Sequence, residues 1–98
     1  MREKSRILIV GAGEAGRMLI GEYAKRNKLH RIIGFLDDAQ DKKNVDFFGK
    51  KVLGTLGEIQ VVLEAHEINQ VLIAIPSAKN SVLKKLVTNI TLINPDIS

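Results

Sequence analysis

Arg6-Ile7-Leu8-Ile9-Val10-Gly11-Ala12-Gly13-Glu14-Ala15-Gly16-Arg17-Met18-Leu19 carries an apolar run straight into Gly-x-Gly-x-x-Gly and then into a helical pattern. It reads as a strand, a phosphate-binding turn and a helix. In such a turn the first glycine permits the tight bend, the second lets the backbone approach a pyrophosphate, and the third lets helix and strand pack closely. The helix that follows aims its unpaired N–H groups and positive dipole end at the phosphates.

Three glycines alone are a weak signal, because they also serve a tight turn with no ligand. Context strengthens them. A strand precedes them, a helix follows, and an acid at the end of a second strand is expected about 20 residues on, to hold a ribose hydroxyl. Here Arg31-Ile32-Ile33-Gly34-Phe35-Leu36 leads into Asp37 and Asp38, and Asp37 lies 21 positions beyond Gly16. Gly11 and Gly16 also have P-loop spacing, but Arg17 and Met18 stand where a Walker motif needs Lys and then Ser or Thr. No hydroxyl is placed there for Mg²⁺, so ATP or GTP hydrolysis is set aside.

A length of 98 residues bounds the chain to one domain, expected over 1–98 as a piece of a longer protein. The composition, 45% hydrophobic and 27% charged, is that of a globular domain, and its apolar runs fall far short of the roughly 20 residues that span a bilayer. No signal segment is expected from Met1-Arg2-Glu3-Lys4, because only a short apolar run follows it. The absence of cysteine removes disulfides and thiolate metal sites and fits a reducing, cytoplasmic compartment. The net charge of +4 is spread along the chain with little aromatic interleaving, which reads as a solvated surface and not a nucleic-acid site.

Outward from the glycine turn, Ala15, Met18, Leu19, Tyr23 and Ala24 recur at helical steps, predicting a helix over about 14–26. A buried strand is expected over 31–37, then a polar loop, then a short edge strand around Gly49. Thr55 and Glu58 form a Thr-x-x-Glu capping box. The helix it starts shows a stripe of Leu56, Ile59, Val62, Leu63 and His66. A strand over 70–75 follows, closed by Pro76-Ser77, with Ser77 offered as an N-cap. A third helix should turn Val82, Leu83, Leu86 and Val87 inward, and Ile90-Thr91-Leu92-Ile93 should be a last strand. The alternation predicts a doubly wound α/β fold, a mainly parallel sheet with helices on both faces.

Catalytic and metal constellations are missing from the pattern. His30 and His66 lack metal-ligand spacing, no Gly-x-Ser-x-Gly elbow exists, and Tyr23 has Asn27, not Lys, four residues on. No catalytic and no metal-binding residue is therefore assigned.

The glycine stretch, Gly34-Phe35-Leu36-Asp37-Asp38, Val52-Leu53-Gly54-Thr55 and Val71-Leu72-Ile73-Ala74-Ile75-Pro76-Ser77 together resemble the Rossmann-like domain that precedes the catalytic domain in polysaccharide-biosynthesis nucleotide-sugar epimerases and dehydratases, the capsule and O-antigen group. The resemblance covers nearly the whole chain in order and spacing. It implies a parent enzyme that uses NAD on a nucleotide-diphosphate sugar, anchored to the inner membrane and facing the cytoplasm, with its catalytic Tyr and Lys in another domain. This segment itself would touch no membrane, and the parent would be a candidate homo-oligomer. On this reading Gly11, Gly13 and Gly16 face the pyrophosphate, Ala12, Glu14 and Ala15 belong to the same cofactor-binding turn, and Asp37, beside Asp38, faces the adenosine ribose. Gly54 and Thr55 lie on the adenine side, and Ile75, Pro76 and Ser77 on the other half of the crevice. Arg17 stands equally as a phosphate contact and as an exposed helix arginine. Two rivals remain: a ligand sensor of the potassium-transport or NADH-repressor kind, and a coenzyme A or nucleotide-sugar pocket.

Overall fold

Ile7–Val10 form β1, and all four side chains are at most 1% exposed. An unbroken apolar strand of this kind must be covered on both faces. The computed structural model, which describes residues 5–98, shows how. β1 lies between two parallel neighbours, β2 (Ile32–Leu36) and β5 (Gln70–Ile73). Beyond β2 come β4 (Lys50–Gly54), parallel to it, and β3 (Asp46–Phe47), antiparallel to β4. The order across the sheet is β3-β4-β2-β1-β5. The reading of Met1–Lys4 lies outside the described residues.

Side chains of β1 alternate between the two faces, as the pleat requires. Ile7 and Ile9 join Phe35 and Ile20 of α1 (Glu14–Lys25) on one face. Leu8 and Val10 join Ile59, Val62 and Leu63 of α2 (Ile59–Ala65), and Leu86 and Ile90 of α3 (Asn80–Ile93), on the other. The sheet is thus mainly parallel with helices on both faces, as the alternation predicted. The edge near Gly49 is a hairpin of β3 and β4, in which Asp46 Oδ1 accepts the Gly49 N–H at 2.9 Å.

Three local readings are corrected. Residues 90–93 are not a strand but the last turn of α3. Ile90 falls one turn after Leu86, on the same buried stripe, and the Thr91 hydroxyl donates to the Val87 carbonyl at 2.9 Å, a bond between successive helical turns. Ser77 is not a cap, since α3 starts at Asn80 with Lys79 before it. Met18, Val82 and Val87, read as inward, are 66%, 43% and 50% exposed, whereas Ile20, passed over in the sequence, is fully buried.

Candidate functional site

Every parallel strand of this sheet ends at the same rim, and the predicted site residues are distributed along it. Gly11 to Gly13 link β1 to α1, Asp37 and Asp38 follow β2, Gly54 and Thr55 close β4, and Ile75 to Ser77 follow β5. Strand order puts the glycine turn in the middle of this rim, because β1 is flanked by β2 and β5. Open α/β sheets bind ligands there.

The turn is shaped by its own contacts. Gly11 takes φ 110°, and a Cβ on it would overlap the Ala74 carbonyl, so no other residue fits between β1 and β5. A Cβ on Gly16 would overlap the Gly11 carbonyl, which is the close approach of α1 to the turn. Gly13 differs, with nothing within 4 Å of where its Cβ would stand. Of the three glycines of the turn, this one alone leaves open space over its backbone. Glu14 opens α1, exposed, and Ala15 is half-buried beside it.

Asp37 has its carboxylate engaged on both oxygens. Oδ2 accepts the Ala12 N–H and Oδ1 the Ala39 N–H, each at 2.8 Å. It therefore joins the glycine turn to the loop after β2. Asp38 Oδ1 accepts the Leu56 N–H at 2.8 Å and joins that loop to the next one. Glu58 Oε1 accepts the Thr55 N–H at 2.9 Å and the Thr55 hydroxyl at 3.2 Å. These bonds hold the Glu58 carboxyl below its ordinary value, the backbone amide first, then the hydroxyl, with the Lys43 charge adding to them. Two of these carboxylates thus stitch three loops together, and the third closes the last of the three on itself. Each retains acceptor capacity, since a carboxylate has about four lone-pair sites.

Those acids line a polar cavity of about 390 Å³, together with Gly54, Thr55 and Lys43. Sequence reasoning missed Glu58 as a lining residue, since it was legible only as half of the capping box. Lys42 points elsewhere, 3.8 Å from Asp41. A larger cavity of about 690 Å³ lies at the β5 end of the rim, between Ala15, Met18 and Leu19 of α1, Ile75 and Pro76 after β5, and Leu83 of α3. It is almost wholly apolar, in contrast to the smaller cavity. Arg17 lies with its guanidinium 4.2 Å from the centre of the Phe47 ring, and Phe47 meets Phe35 edge-on at 6.4 Å. That contact ties α1 to β3.

Among the described residues no group of three or more His, Cys, Asp or Glu is placed to hold a metal ion, and no helix is long and apolar enough to cross a membrane.

Comparison with known proteins gives three kinds of likeness. Residues 1–95 match the protein family described as a CoA-binding domain. The chain is 32% identical over 83 residues to the probable polysaccharide biosynthesis protein EpsC of Bacillus subtilis, a match covering 84% of this chain and 14% of that protein. It therefore spans about a seventh of that curated relative's length. Among solved structures, UDP-D-quinovosamine 4-dehydrogenase from Vibrio fischeri is 25% identical with a TM-score of 0.70, over 98% of this chain and 88% of that one. RSP, a Rex-family repressor solved with β-NADH, superposes with a TM-score of 0.76 at 13% identity, over 93% of this chain and 42% of that one. The last likeness is one of fold.

Proposed function

The chain belongs to the family of CoA-binding domains, a Rossmann-like fold related to polysaccharide biosynthesis proteins, and from that premise we propose that it binds an NAD-type dinucleotide as the non-catalytic nucleotide-binding unit of a nucleotide-diphosphate-sugar epimerase or dehydratase. The pyrophosphate would lie over Gly13 at the start of α1, and the adenosine ribose at the polar cavity. When bound, such a ligand offers a nicotinamide that accepts or returns a hydride. The residues of this chain bind and orient it.

One observation carries the choice of NAD over coenzyme A or NADP. The polar cavity is lined by Asp37, Asp38 and Glu58 against the single ammonium of Lys43. A free ribose diol donates hydrogen bonds to carboxylates, whereas the 2′-phosphate of NADP or the 3′-phosphate of coenzyme A brings like charge to them. Lys42 gives little relief, because it already faces Asp41. The family description makes coenzyme A the competing ligand, and a UDP-sugar also has a free ribose diol.

Calorimetric titration with NAD, NADP, coenzyme A and a UDP-sugar tests this. NAD should bind most tightly, by about tenfold or more over NADP and coenzyme A, equivalent to about 1.4 kcal/mol. Asp38→Ala should narrow that gap. Asp37→Ala should narrow it too, while weakening every ligand, because it also frees the Ala12 and Ala39 amides. Coenzyme A binding as tightly as NAD would remove the acids from the ribose and favour an acyl-carrier ligand, and a tighter UDP-sugar would replace the dinucleotide by the sugar nucleotide itself.

A further inference from the structure

The stretch Lys25-Arg26-Asn27-Lys28-Leu29-His30-Arg31 holds four fixed positive charges and a histidine, and the fold winds it into one corner. The Asn27 N–H donates to the Ala24 carbonyl at 3.1 Å and the Lys28 N–H to the Tyr23 carbonyl at 2.8 Å, with Asn27 in the left-handed region at φ 57°. Such a pair of bonds ends a helix and reverses the chain. A single 3-10 turn, Leu29–Arg31, follows and delivers the chain to β2. Turns this tight confine the stretch to on the order of 10 Å, comparable to the Debye length at physiological salt, so its charges act together.

The helix dipole accounts for Lys25 and Arg26 at the end of α1, and not for Lys28, His30 and Arg31 beyond it. Lys25, Arg26 and His30 are exposed, and Lys28 and Arg31 are half-buried. Of these side chains Lys25 alone is in an ion pair among the described residues, with Glu22 at 3.8 Å. Glu64 and Glu67, acids at this same end of the molecule, belong to α2 and the turn before β5, where they line a separate cavity with Ile68 and Asn94.

An exposed aromatic ring stands at the same end. β4 is a parallel neighbour of β2, so the turn that joins β3 to β4 lies where β2 begins. That turn is Phe48-Gly49, with φ 53° and 80°. Two-residue hairpin turns with positive φ take Asn, Asp or Gly at the first position, because a bulky side chain is strained there. Phe48 is 62% exposed, so burial does not offset the strain. Lys50 and Lys51 open β4 just after it.

We infer that this end of the sheet docks on an anionic lipid surface, with the cations of the corner against headgroup phosphates and Phe48 in the interface below them. A cationic cluster with an apolar anchor holds a folded domain to such a surface without spanning it. A nucleic-acid site differs, because there successive aromatic rings stack successive bases along a charged groove. The sequence alone argues against membrane contact, since no apolar run spans a bilayer, but a peripheral contact needs none. In the sequence the cations of α1 and the Phe48 turn are also far apart, and only the fold brings them to one end. The glycine turn and the polar cavity stand at the opposite end of the strands, so this inference stands or falls apart from the nucleotide reading.

Cosedimentation of the 98-residue chain with vesicles tests it, comparing phosphatidylcholine alone with phosphatidylcholine and phosphatidylglycerol in equal parts. The anionic vesicles should bind at least about tenfold more tightly, and the advantage should vanish in about 1 M salt, where the Debye length falls to about 3 Å. Arg26→Ala combined with Lys28→Ala should weaken that binding at least about tenfold. Phe48→Asn should weaken it about fivefold while leaving the thermal midpoint unchanged or higher, since Asn suits the turn. Phe48→Trp gives the chain its one tryptophan, whose emission should shift to the blue on anionic vesicles. Equal binding to both vesicles overturns the inference, as does anionic binding that survives either the double substitution or Phe48→Asn, or a tryptophan emission that does not move. A single-stranded oligonucleotide that displaces the chain from the vesicles and binds it more tightly, in a manner lost in Phe48→Asn, also overturns it by giving the surface to nucleic acid.

Discussion

A Cβ at Gly16 would overlap the Gly11 carbonyl, while one at Gly13 would stand in open space, so glycines two and three of the same turn answer to different demands. Gly16 is needed by the fold, whereas Gly13 is free to serve the proposed ligand. Gly13→Val should therefore abolish NAD binding in calorimetry and leave the circular dichroism spectrum and thermal midpoint close to those of the unmodified chain. Unchanged affinity would remove the pyrophosphate from this turn. Gly16→Val should do the reverse in order of cause, destabilising the chain first, by about 1–3 kcal/mol or more in urea unfolding, as overpacking against backbone does. The glycines and Asp37 were legible in the sequence because their spacing is fixed by a strand, a turn and a helix. The partners of Asp37 were not. Which amides reach a carboxylate depends on how two loops close on each other, and only the folded rim shows Ala12 and Ala39 meeting Asp37.

At the scale of elements, the turn that begins at Thr55 is held through a group that titrates. The Glu58 carboxyl is lowered by the Thr55 amide and hydroxyl, so its bonds stabilise the fold above the ordinary glutamate range and are lost as pH falls through the lower folded value. Urea unfolding of the unmodified chain and of Glu58→Gln should show the larger stability difference at neutral pH, and that difference should shrink on acidification below the glutamate range near pH 4.3. A difference that stays constant with pH would mean that the charge of Glu58 is not what holds the turn. The start of this helix was readable because a capping box is local. The end of α3 was not, because Ile90-Thr91-Leu92-Ile93 is as β-prone as any strand in the chain. Its helical state is decided by Ile90 reaching the core beside Leu86, a packing term that overrides local preference. Val87 misled for a related reason: it follows the helical period, but it lines the open cavity beside β5.

Over the whole molecule, the winding of the chain separates its potential proton carriers from its ligand rim. The sheet order β3-β4-β2-β1-β5 was implicit in the βαβ alternation, since right-handed crossovers leave few alternatives. What the alternation does not say is which end of the sheet each polar side chain reaches. His30 lies just before β2 and His66 just before β5, so both imidazoles belong to the end where these strands begin. Tyr23, half-buried near the end of α1, has run back toward that same end and packs on the core beneath α1. The glycine turn, Asp37, Asp38 and Thr55 stand at the opposite end, where the ionisable company is Glu58 and Lys43. Epimerisation or dehydration of a nucleotide sugar needs a base within hydrogen-bond reach of the proton it removes, with a pKa near the working pH. The carboxylates of the polar cavity are already occupied with backbone amides, and no tyrosine or histidine is near them. The isolated chain, incubated with NAD and UDP-sugars, should accordingly give no epimerised or dehydrated product by chromatography and mass spectrometry. Product formed above a no-protein control, and lost on Lys43→Met, would assign proton transfer to the rim itself.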